Sequence, residues 1–297
     1  MVQKKGIFSN FGKGTIYLIV FLLGLVCLLP LLNILAVSFS GSAAVAANKV
    51  GFLPVDFTAA AYRKILEDHQ FWRSFGISVL RVVLALILNL VLIVLMAYPL
   101  SKSKMEFRGR NLYMNLLIFA MLFSGGMIPT YLVVKNLGLL NTVWALILPG
   151  AVPVFSVIMV MNFFTGVPKS LEEAAVIDGA TPLQVLTRVY LPCSKPVIAT
   201  IALFSIVGGW NDFFGGLIYM TKVSNYPLQT YIQSLSVKLE DMLRAGGSIS
   251  SIVNAMDVSA QNLNAAKIIV SVIPLLLIYP LLQKYLITGI VVGSVKE

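Results

Sequence analysis

The chain has 297 residues, 58% of them hydrophobic and only 11% charged, with a mean hydropathy of +0.91. Several windows exceed the roughly 18 apolar residues needed to cross a hydrocarbon core of about 30 Å, which excludes an ordinary soluble domain. The net charge is +10, from 22 basic and 12 acidic residues, but no basic run is interleaved with aromatics, so no nucleic-acid partner is expected.

The tail 1–14 carries Lys4, Lys5 and Lys13. The uncharged run that follows, Ile16 to Val37, is longer than the about 7–15 residues of a signal-peptide core, so a retained first span is expected over 15–38. Further apolar segments predict spans over 75–99, 112–134, 142–164, 197–220 and 267–288. The expected fold class is an all-α integral membrane protein with six transmembrane helices, and lipid as a surrounding partner.

An even count puts both termini on one side. The tail and the short loop after the second span, with Lys102, Lys104, Arg108 and Arg110 against Glu106, are the basic segments, so both are assigned to the cytoplasm. Trp72, Trp144 and Trp210 then fall in the outer half, as an aromatic belt would. Pro149 and Pro153 in the fourth span and Pro274 and Pro280 in the sixth each remove a backbone donor and favour a kink.

Two cysteines, Cys27 and Cys193, fall at different expected depths, so no internal disulfide is expected. One histidine, His69, and the absence of HExxH or CxxC leave no metal site to assemble.

Arg81 lies inside the second span. A central arginine costs about 2.5–3.5 kcal/mol on insertion scales, so it should face the bundle or a wet path. There it either donates to solute hydroxyls or carboxylates, or pairs with a carboxylate or carbonyls. Asp212, beside Trp210 and Asn211, is the acidic residue well inside a span. It offers an acceptor next to an aromatic face, or else an interfacial cap. Arg81, Trp210, Asn211 and Asp212 are the candidate solute path.

The stretch EEAAVIDGATPLQVLTRVYLP, 172–192, is too polar for lipid and lies in the cytoplasmic loop 165–196. Ser170 with Glu173 three residues on reads as a capping box. Glu172 and Glu173 suit the positive end of a helix dipole. Gly179 can stop the helix in the left-handed conformation, and Thr181 then caps a second helix with Pro182 at its first position. Leu183, Leu186, Val189 and Tyr190 give that helix an apolar stripe, which Pro192 ends. The product is a helix-turn-helix with a small-residue tip, shaped to enter a groove on another protein.

These residues resemble the EAA loop of ABC importer permeases, a pattern of E-A-A, three residues, G, nine residues, then I-x-L-P. Glu173, Ala174, Ala175, Gly179, Leu191 and Pro192 fit at full spacing, with Val189 in place of isoleucine, and Asp178-Gly179-Ala180 matches the form typical of sugar uptake. GGWNDFF, 208–214, and the closing QKYLITGIVVGSVKE are similar to further stretches of carbohydrate permeases of the maltose type.

The resemblance implies a bacterial inner-membrane permease for a sugar, with an oligosaccharide favoured over other solutes. It implies no catalysis and no cofactor on this chain, which has no Walker A motif; ATP and magnesium belong to a separate ATPase dimer. Further partners would be a second permease and an extracytoplasmic binding protein. Glu172, Glu173, Ala174, Ala175, Asp178, Gly179, Ala180, Leu191 and Pro192 would couple to the ATPase, with Glu173 as the electrostatic anchor. The tail 289–297, through Gly289, Gly293, Val295 and Lys296, would reach between the ATPase subunits. The permease domain would run over 15–288. An ion-coupled carrier would want paired intramembrane carboxylates and repeated halves, and a membrane enzyme convergent polar groups; neither pattern is present.

Overall fold

The computed structural model describes residues 7–235 and 260–293, and every regular element among them is helical. Among the described residues, three helices are long and apolar enough to cross a membrane unbroken: α1 (Ile7–Ser38), α4 (His69–Ser101) and α14 (Ala260–Gly293). At 33 residues, α4 is about 50 Å long by helix rise. Its first residue is His69, six positions before the start of the span expected over 75–99.

The other apolar segments are bent pairs. α5 (Arg110–Leu122) and α6 (Met127–Asn136) meet at 112°, so the span expected over 112–134 is broken. The cause is local: Gly126 has φ +84°, which only glycine adopts freely, and Ser124 Oγ accepts its N–H. α7 (Val143–Ile147) continues through a 3₁₀ turn, Leu148–Gly150, and bends by 53° into α8 (Val154–Thr165). Pro149 and Pro153 lie at that bend, as their missing donors require. By contrast α14 runs continuously through Pro274 and Pro280, so these prolines do not break their helix.

Two compact units are present. The first holds α1, α2 (Ser42–Ala46), α3 (Ala60–Glu67) and the start of α14. Phe39 stacks on Phe57 and Tyr62, and Asn262 donates to the Ser40 carbonyl. Lys267 of α14 is buried and pairs with Asp68 at 2.6 Å.

The second unit holds most of α4 through residue 231 and the rest of α14. Its core joins Ile93, Ala97 and Leu100 of α4, Val157, Val160 and Phe164 of α8, and Val197 and Ile201 of α12 (Lys195–Asn211). The fifth span, expected over 197–220, is interrupted at Asp212–Phe213, after which α13 (Phe214–Tyr219) resumes. The break is tightly packed. A Cβ on Gly216 would stand 2.0 Å from Thr230 Oγ1 and 3.0 Å from Pro227 Cδ, and Thr230 is fully buried. Gly216→Ala is therefore expected to cost about 1–3 kcal/mol by overpacking, read as a lower melting temperature of the purified complex.

Candidate functional site

The loop between α8 and α12 forms two short helices that pack on the core built by α4, α8 and α12. α9 (Lys169–Ile177) starts directly after Pro168, which is extended. Ser170 is therefore inside the helix, and the expected Ser170–Glu173 capping box does not form. The fixed φ of Pro168 makes it the boundary instead.

α9 ends as the glycine requires. Gly179 has φ +80°, its N–H reaches the Val176 carbonyl, and the Ala180 N–H reaches the Ala175 carbonyl at 2.9 Å. This is a Schellman closure. Thr181 then caps the next helix, and Gln184, which sequence reasoning missed, returns a bond to the Thr181 N–H at 2.8 Å. The helical run Pro182–Cys193 contains α10 (Pro182–Val185), a π-turn at Leu186–Tyr190 and α11 (Leu191–Cys193). Pro192 does not end it. Its missing N–H is accommodated by the widened turn before it, and the chain bends by 84° into α12.

Val185, Leu186 and Tyr190 are buried in the core of α4, α8 and α12, each contributing on the order of 1.5–3 kcal/mol when fully buried. Tyr190 meets Tyr98 and Phe164 edge-on at 5.2 and 5.4 Å.

At this junction sits an ion pair. Lys102, one residue past α4, donates to Glu172 Oε1 at 2.5 Å and to Tyr190 Oη at 3.0 Å. Tyr190 Oη donates to Glu172 Oε2 at 2.6 Å. The Lys102 ammonium lies 4.4 Å from the ring centroids of both Tyr98 and Tyr190, a cation–π cradle worth up to about 2 kcal/mol when desolvated. Burial works to raise the Glu172 pKa, but the bonds from Lys102 and Tyr190 outweigh it and hold the carboxyl below its ordinary value. Burial and the Glu172 hydrogen bond raise Tyr190.

Glu172 is thus the carboxylate tied inward, whereas Glu173 is exposed. Ala174, Asp178 and Gly179 are exposed with it, as are Val176 and Ile177, the latter at 85%. Ala175, Ala180 and Leu191 pack on the internal core, and Pro192 is exposed.

The second constellation lies between α4 and the break in the fifth span. Arg81 is 5% exposed. It forms a salt bridge with Asp212 and donates to the Asp212 carbonyl at 3.1 Å; Asp212 Oδ1 caps the Gly215 N–H at 2.9 Å. Arg81 and Asp212 line a cavity of about 240 Å³ with Asn89, Ser156 and Ser205, and Arg81 Nε has no hydrogen-bond partner among the described residues. Trp210 does not line it. Its ring is 4% exposed and meets Phe75 edge-on at 5.6 Å, so it neither belongs to an aromatic belt nor offers a free face. Asn211 is exposed. Gly289 and Gly293 lie in α14; Val295 and Lys296 are outside the described residues.

Residues 90–292 match the family described as the binding-protein-dependent transport system inner membrane component. The chain belongs to this family. It is 45% identical over 273 residues to Protein LplC of Bacillus subtilis, covering 92% of this chain and 90% of that one. It is 39% identical to the polygalacturonan/rhamnogalacturonan transport system permease protein YtcP of the same organism, covering 95% and 96%. The crystal structure of a bacterial ABC transporter involved in the import of the acidic polysaccharide alginate has a chain that matches with TM-score 0.83 and 32% identity, covering 94% of this chain and 98% of that one. The permease component of this family is not itself a catalyst.

Proposed function

We propose that this chain is the transmembrane permease subunit of an ABC importer for an oligosaccharide. It pairs with a second permease to form the translocation path, receives solute from an extracytoplasmic binding protein, and is driven by a separate ATPase dimer that carries the ATP and magnesium. It crosses the bacterial inner membrane six times, counting the bent pair α5–α6, the bent fourth span and the interrupted fifth as one span each. Both ends lie in the cytoplasm, where the positive-inside rule puts the tail and Lys102–Arg110. The permease domain is 15–288, with short tails 1–14 and 289–297. The carbohydrate reading is supported by the polymers named for YtcP and for the alginate importer.

The observation that carries the reading is the two-sided α9. Its inner side is tied to α4 through Lys102 and Tyr190. Its outer side exposes Glu173, Ala174, Val176 and Ile177, an apolar and acidic surface suited to a cleft on the ATPase. ATPase closure pushes α9, and the joint passes the motion to α4. Arg81 on α4 holds the break of the fifth span through Asp212, so movement of α4 acts on the polar cavity there. Gly289, Gly293, Val295 and Lys296 extend the contact to the ATPase through the tail.

A cysteine at Ile177 in the assembled complex should cross-link to the ATPase in high yield; cross-linking only to lipid or to nothing would remove the docking role. Gly179→Val should weaken docking through strain alone. Nothing lies within 4 Å of a Cβ there, but φ is +80°, a conformation costing a β-branched residue about 1–3 kcal/mol. Lower ATPase retention during purification, with unchanged membrane insertion, is the expected result.

A further inference from the structure

A groove on the second unit, lined by none of the charged residues of either constellation, has no role in the reading above. It has a volume of about 420 Å³ and is lined by Leu95, Met96, Pro99 and Leu100 of α4, Phe107 of the connecting loop, and Tyr113, Leu116 and Leu117 of α5. Leu100 and Leu117 are its buried floor, while Leu95 and Leu116 are exposed. Phe107 and Tyr113 stack at 5.7 Å, and Arg110 Nε fastens the loop to the Leu100 carbonyl at 2.9 Å.

The loop beside this groove is cationic. Lys102 is neutralised by Glu172, but Lys104 and Arg108, on either side of Phe107 by a few residues, are exposed, and among the described residues no ion pair engages them. Arg110 adds a third positive charge, and Glu106, bonded to the Ser103 N–H, is the one negative charge in 103–110. α5 opens at Arg110, so the positive end of its dipole faces the same place.

We propose that this groove holds one phospholipid with an anionic headgroup, its acyl chain along Leu95, Pro99 and Leu116 and its phosphate against Lys104 and Arg108. Charge complementarity selects this occupant: basic clusters at the membrane surface beside a helix end attract acidic lipids, and a neutral headgroup would leave the two cations unmatched. The cytoplasmic leaflet follows from the orientation proposed above; the groove and its charges do not depend on it.

The test uses the whole complex, reconstituted in nanodiscs of phosphatidylglycerol, of phosphatidylcholine, or of an equal mixture. A photo-crosslinking amino acid replaces Leu116, which is 56% exposed. In the mixture, the adduct should be phosphatidylglycerol in at least tenfold excess, and Lys104→Glu with Arg108→Glu should abolish that preference without changing total lipid adduct. Equal labelling of the two lipids overturns the proposal. So does an adduct to the second permease, which would make the groove a subunit contact. Either result leaves the importer reading untouched, since ATP-driven uptake is measured separately on the same complexes.

Discussion

Glu172→Ala will separate ATPase docking from transport. In the assembled complex the ATPase still binds, because Glu173, Val176 and Ile177 on the outer side of α9 are unchanged. Solute-stimulated ATP hydrolysis falls about tenfold or more. The variant removes the charged acceptor of both Lys102 and Tyr190, and a hydrogen bond to a charged group contributes about 1.5–3 kcal/mol, where about 1.4 kcal/mol is a factor of ten. Glu173→Gln should do the reverse, weakening ATPase retention while leaving the joint intact. If Glu172→Ala stimulates normally, α9 is not joined to α4 through this triad.

The pH dependence of the joint follows from the same groups. The folded Glu172 pKa is lowered, so its contribution is complete above the unfolded carboxylate value and is lost only as pH falls through the lowered one. The folded Tyr190 pKa is raised, so its neutral hydroxyl persists below the unfolded phenol value and is lost only above it. Coupling should therefore be flat from about pH 5 to 9 by linkage.

Asp212→Ala will lower the stability of the second unit by leaving a buried charge without its partner. It strands Arg81, which is 5% exposed, and uncaps the Gly215 N–H. Removing one partner of a wholly buried pair costs about 3–5 kcal/mol. The Asp212 side chain is 34% exposed, which brings the expected loss nearer about 1.5–3 kcal/mol. The double variant Arg81→Met with Asp212→Leu should melt closer to the wild type than Asp212→Ala does, because no charge is left unpaired. A double variant as unstable as the single one would mean that the aspartate acts through the Gly215 cap alone.

What could be read from the sequence was local. Gly179, Thr181 and Pro182 act on their own backbones, so their roles in stopping and restarting a helix are written in consecutive residues. The long apolar runs of α1, α4 and α14 announce themselves by length. The break at Ser124–Gly126 was hidden because the flanking residues are all apolar, although the paired glycines and Pro129 carried the signal. The choice between Glu172 and Glu173 was not local. It depends on Lys102, 70 residues away, and only the packing of Tyr190 on α4 and α8 turns one carboxylate inward. Lys267–Asp68 is hidden in the same way, by 199 residues of separation. Trp210 offered an aromatic face beside Asp212 in the sequence, but Asp212 lies past the end of α12 at the break, and the Trp210 ring packs inward against Phe75.

The central claim is tested most directly by uptake into proteoliposomes that contain this chain with its second permease and ATPase, given the binding protein loaded with labelled oligosaccharide on the outside and ATP in the lumen. The account predicts accumulation that requires both ATP and the binding protein and that survives a proton ionophore. Accumulation without ATP that collapses with the ionophore would contradict it.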